Sequence, residues 1–245
     1  MNFSRVLLVL ALALPVSADT LTDIRGALGR LTGRDPIRAT YELQQSVANE
    51  GKFSDDKFNG KVTFEVEGDA NGFRVVFPRV MLDQINREQN AEAKNPKATM
   101  PTLSAAQQFD PIRSAQALDF APPLLRLLEG AKVVGDTAGT WQGKPARVVV
   151  FRMADEPHDG PGKVTIAENK LTLWIGSDLV PAAVEHIFSA KMSFLVLKGE
   201  TRQKRSWHLT RVSDRLVAHR HESSQITSGL GQKGNETLVA TVKVH

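Results

Sequence analysis

The chain has 245 residues, 41% of them hydrophobic, and contains no cysteine. That length suffices for a core without covalent staples; the missing cysteine excludes disulfides, thiol catalysis, thiolate metal sites and lipid attachment through an N-terminal cysteine. A formal charge of +4 is mild and accompanies no recognisable nucleic-acid module, so no nucleic-acid partner is expected.

The N-terminus carries Arg5, an unbroken apolar run from Val6 to Leu14, a break at Pro15, and small residues at Val16-Ser17-Ala18 before Asp19. This is the three-part pattern of a secretory signal peptide, and its apolar run is too short to span a bilayer. Residues 1–18 are therefore expected to be removed on export, leaving 19–245 as a single periplasmic or secreted domain. No later apolar run reaches roughly 18 residues, so no transmembrane segment is expected after cleavage.

From Thr20 to Leu31, Leu21, Ile24, Leu28 and Leu31 share one helical face. The period then switches to two: Ile37, Ala39, Tyr41, Leu43 and Val47 alternate with polar residues, and Lys61–Glu67 alternates as cleanly. Asn71-Gly72 marks a hairpin into Phe73–Phe77. Helical spacing returns in an insert at about 79–130, with helices predicted over Val80–Ala93, Ser104–Phe120 and Pro122–Glu129. Strands follow over Ala131–Thr137, Ala146–Met153, Lys170–Gly176, Val180–Val196, Lys204–Val212, Leu216–Ile226 and Thr237–Val244. Val180–Val196 is long for one strand, so a bend near Ser189–Lys191 is expected. The fold class is α+β: a strongly curved antiparallel sheet, an incomplete β-barrel, with covering helices.

The chain offers little for chemistry. Neither a Gly-x-Ser-x-Gly elbow nor a His-Glu-x-x-His helix occurs, and Ser228–Gly234 lacks the context of a phosphate loop. His219 and His221 are expected to share one strand face, but two ligands make a weak metal site. His186 interrupts an apolar stripe and reads as a core histidine. Asp155, Glu156, His158 and Asp159 read as solvated turn chemistry. Arg202-Gln203-Lys204-Arg205 is expected at a hairpin turn, solvated or attracted to anionic headgroups. These observations give no catalytic residue, no metal site and no cofactor, and the chain is expected not to be an enzyme. The apolar strand faces leave two options open, a dry core closed by the helices or a cavity between sheet and helices.

The stretch Leu171-x-Leu173-Trp174-Ile175, with Asp178 in the turn and Val180-Pro181 opening a long return strand, resembles the periplasmic lipoprotein-carrier (LolA-like) half-barrel family, as does Trp141-Gln142-Gly143-Lys144-Pro145-Ala146 before a valine-rich strand. Gly176-Ser177 stands where that family carries an acidic residue. The resemblance implies an open barrel with lid helices that holds a lipid or the acyl chain of a lipoprotein, as carrier or envelope sensor, with an envelope protein as a possible partner. Under it, Phe64, Phe73, Val75, Leu173, Phe188 and Phe194 are the expected ligand-binding residues. The competing expectation is a non-enzymatic protein-interaction module with a dry core.

Overall fold

A computed structural model describes residues 19–51, 57–155, 163–194, 197–229 and 231–245; the signal-peptide pattern lies outside them. Helix α1 (Asp19–Gly29) buries Ile24 and Leu28 of the predicted stripe, with Ala27 beside them and Leu21 partly buried; Leu31, also buried, follows the helix. Three strands follow, β1 (Ile37–Gly51), β2 (Lys57–Asp69) and β3 (Gly72–Val76). Four helices come next: α2 (Arg79–Lys94), α3 (Pro101–Gln107), α4 (Pro111–Leu118) and α5 (Ala121–Leu127). Seven strands complete the described chain: β4 (Lys132–Trp141), β5 (Lys144–Arg152), β6 (Lys163–Ile175), β7 (Pro181–Phe194), β8 (Leu197–Val212), β9 (Arg215–Gly229) and β10 (Gln232–Val244).

All ten strands form one antiparallel sheet in the order β3-β2-β1-β10-β9-β8-β7-β6-β5-β4. The first strand pairs with the last, from Ala39 opposite Val244 to Gly51 opposite Gln232. The two edges, β3 and β4, do not meet, so the barrel stays open. Those edges are also the strands that flank the helical insert, so α2–α5 carry the chain from one edge of the sheet to the other. Strand alternation supplies the face they cover: Tyr41, Leu43, Val62, Phe64, Val66, Val149, Phe151, Leu171, Leu173 and Val184 are buried with Leu118, Leu124 and Leu128 from the helices.

Three expectations need correction. The helix read over Ser104–Phe120 is two helices. Pro111 has no N–H to donate to a preceding turn, and the Asp110 carboxylate caps α4 by accepting from the Ile112 and Arg113 amides at 2.8 and 3.2 Å. Strand β7 runs through Ser189–Lys191 without a break; the irregularity falls on its partner β6, between Ile166 and Glu168, where an extra residue curves the ladder. Arg202–Arg205 lies within β8, paired with His186–Ser189 and with Ser223–Ile226, rather than at a turn. Alternation therefore sends Arg202 and Lys204 outward to solvent and Arg205 inward.

One close approach fixes the helices over the sheet. A Cβ on Gly60 of β2 would lie 2.2 Å from the Pro101 carbonyl oxygen and 2.9 Å from Ala105 Cβ. Only glycine lets α3 rest on the strand at this point. At the other side, Arg147 of β5 grips Asp136 of β4 through Nε (2.7 Å) and Nη2 (2.5 Å), and Thr20 of α1 donates to the same carboxylate at 3.0 Å. Arg147 holds the Asp136 carboxyl below its usual range.

Candidate ligand cavity

Between helices α4 and α5 and the inner face of β1 and β7–β10 lies a cavity of about 400 Å³, within the size range of small-molecule sites. Its apolar wall comes from Tyr41 and Leu43 on β1, Leu238, Ala240 and Val242 on β10, Ala218 on β9, Trp207 on β8, and Phe109, Ala117, Phe120 and Leu127 from the helical side. Strand alternation explains the first seven, since every second residue of a strand faces the helices. Trp207 is held on both sides: Phe120 lies 5.4 Å away between ring centroids, and the His221 ring stacks on it at 5.0 Å and 9°.

Polar side chains make up most of the rest of the lining and include four charged ones, Asp110, Arg113, Arg126 and Arg205. Tyr41 is hydrogen-bonded to Ser114, and burial raises its pKa. His186 Nε2 lies 2.9 Å from Asn169 Oδ1, and burial, with Arg205 nearby, lowers its pKa. His221 is half-buried, its buried Nε2 has no hydrogen-bond partner among the described residues, and burial followed by repulsion from Arg205 and Arg113 lowers its pKa to about 4. Arg205 enters from the middle of β8; burial and then Arg113 push its pKa below the ordinary arginine range. Arg113 on α4 sits at the exposed side of the cavity, 3.3 Å from the Asp110 carboxylate.

The histidine pair expected on one face is split. The β8–β9 register shifts between His208, opposite Arg220, and Leu209, opposite Ala218, which makes His219 the extra residue of a β-bulge. His221 turns into the cavity, while His219 turns to the other face and packs against His208 at 6.0 Å. Among the described residues no three His, Asp or Glu side chains come together to hold a metal. Asp155 lines a shallow groove beside β6 with Glu168; Glu156, His158 and Asp159 lie outside the described residues.

The six residues expected at the ligand do not gather at one place. Phe64 and Leu173 are 1% and 0% exposed and belong to the packed core. Phe64 stacks on Tyr41 at 5.2 Å and meets Phe109 edge-on at 4.5 Å. Phe73 and Val75 pack partly buried against that core, and Phe73 also borders a shallow surface groove. Phe188 is half-buried on β7, two residues from His186 and so on the same face. The Phe194 side chain lies outside the described residues. The cavity wall is instead built from Trp207, Arg205, His221, Tyr41 and residues of α4 and α5. Arg205 and Trp207 already fall in one phase of the strand read over Lys204–Val212; the reading of Arg202–Arg205 as a turn is what hid Arg205.

No described helix is long and apolar enough to cross a membrane. No protein-family model matches the chain, and no curated protein matches it. Among solved structures, it is similar to MucB in the crystal structure of MucB in complex with MucA(peri), at 8% identity over 91% of this chain and 94% of that chain, with a TM-score of 0.24. A likeness that slight carries no argument, so the functional reading rests on this chain's own residues.

Proposed function

We propose that the protein is an exported, non-enzymatic binding protein that holds a lipid or lipoprotein acyl chain between its curved sheet and helices α4 and α5, as a carrier or an envelope sensor. The observation that carries this reading is the cavity itself: an apolar chamber of about 400 Å³ roofed by two short helices and floored by β1 and β7–β10. Each methylene moved from water into such a chamber contributes about 0.8 kcal/mol, so a chain binds there without an elaborate polar code. The N-terminal signal-peptide pattern supports a role outside the cytoplasm, and the lipoprotein-carrier resemblance supports the same cargo class.

Native mass spectrometry with lipid extraction, on protein purified without detergent, tests this reading. The expected result is a bound mass that extracts as lipid, or that appears on incubation with phospholipid or acylated peptide. A clean unliganded mass under both conditions would overturn it and favour a protein-interaction module whose partner binds an edge or the outer face of the sheet.

A further inference from the structure

We infer that the cavity takes a chain-bearing anion, whose carboxylate or phosphate seats against Arg205 with Arg113 and His221 beside it. The inference rests on the acyl-chain reading above and adds the chemistry of the head group. Arg205 is the central observation. Its side chain projects from an interior strand into an apolar chamber, and among the described residues it makes neither an ion pair nor a hydrogen bond. The charged neighbour that bears on it is another cation, Arg113, across the cavity on α4. His221 lies beside them, its Nε2 without a partner and shielded from solvent.

An ordinary fold avoids this arrangement. A guanidinium half-withdrawn from water without a carboxylate loses part of its hydration uncompensated, and a second cation at the same cavity adds a repulsion that solvent screens only in part. The lining as a whole holds three arginines, Arg113, Arg126 and Arg205, against one carboxylate, Asp110. Asp110 is already engaged, capping α4 and pairing with Arg113. An anion between the two guanidiniums offsets both costs, through charge-assisted hydrogen bonds that a planar guanidinium makes to carboxylate and phosphate alike. The apolar wall of Trp207, Leu238, Ala240 and Val242 then receives the chain.

Isothermal titration of the full chain with laurate, dodecyl phosphate and dodecanol, above neutral pH, tests the inference with one chain length and three heads. The two anions are expected to bind at least about tenfold more tightly than the alcohol, the scale of a hydrogen bond to a charged group. Arg205→Gln should remove that preference, bringing the affinities of both anions to that of the alcohol for the same variant, and its melting temperature should equal or exceed that of the parent because an unpaired charge is gone. Arg113→Gln, at an exposed position that folding tolerates, should reduce the preference part-way. Whichever of laurate and dodecyl phosphate binds more tightly identifies the head, and inorganic phosphate alone should displace neither. Dodecanol binding as tightly as both anions, or a preference that survives both substitutions, would overturn the anion site and leave the acyl-chain cavity standing. Displacement by equimolar inorganic phosphate would also overturn it, in favour of a free-anion site. Failure of all three chain compounds to bind would overturn both readings.

Discussion

His221 shows how one side chain couples the cavity to stability. Packed flat against Trp207 and facing Arg205 and Arg113, it stays neutral in the folded protein, with its pKa lowered to about 4. In the unfolded chain it titrates near its ordinary value of about 6.5. The folded-state pKa is the lower one, so the unfolded state binds the extra proton, and stability falls as pH drops from about 6.5 toward 4. His186, His208 and His219 are lowered as well and act in the same direction. Replacing His221 by Phe keeps the stacked ring and removes the proton. Urea unfolding at about pH 7 and about pH 4.5 should show that His221→Phe loses less stability than the parent, by on the order of 2 kcal/mol. Equal losses would mean that the His221 ring is solvated in the folded state.

At the scale of elements, the helical roof depends on the strands beneath it. Helices α3, α4 and α5 have seven, eight and seven residues, too few to persist alone in water. They hold their shape because Ala105, Leu118 and Leu124 are buried against the sheet and α1. The contact at Gly60 sets the distance between α3 and β2. Gly60→Ala therefore forces the Pro101 backbone outward, and the expected destabilisation is about 1–3 kcal/mol, typical of overpacking. A thermal melt of this variant that matches the parent would show that α3 shifts freely. The Asp110 cap belongs to the same scale, since Asp110 starts α4 and orients the turn that presents Arg113 to the cavity.

For the whole molecule, the open sheet and the edge-to-edge path of the insert make α4 and α5 the movable wall of the cavity. The sheet is tied by continuous ladders from β3 to β4, whereas the roof is made of short helices with fewer backbone bonds to break. In amide hydrogen exchange, residues 111–127 are expected to open more readily than β1, β9 and β10, and bound laurate should slow them selectively. Protection confined to the outer strands would place the ligand elsewhere. The strand phases, the first helix, the helical insert and the α+β open-sheet class were legible in the sequence, because each rests on local periodicity in residues such as Ile37–Leu43 or Ile24–Leu28. The Ser104–Phe120 break carried a local signal as well, in Asp110-Pro111. The composition of the cavity was not legible. Phe64 and Leu173 are as apolar as a ligand wall requires, yet their neighbours fill the space around them; Arg205, read with Arg202–Lys204 as a turn at the start of the strand, lies mid-strand on the inner face instead. The β-bulge at His219, which sends His221 inward alone, is a property of strand pairing between residues distant in sequence. By itself the sequence determined which faces are apolar, since that depends on neighbours along the chain; only the tertiary structure decided where apolar faces leave room and which cation stands inside it, since both depend on packing across the sheet.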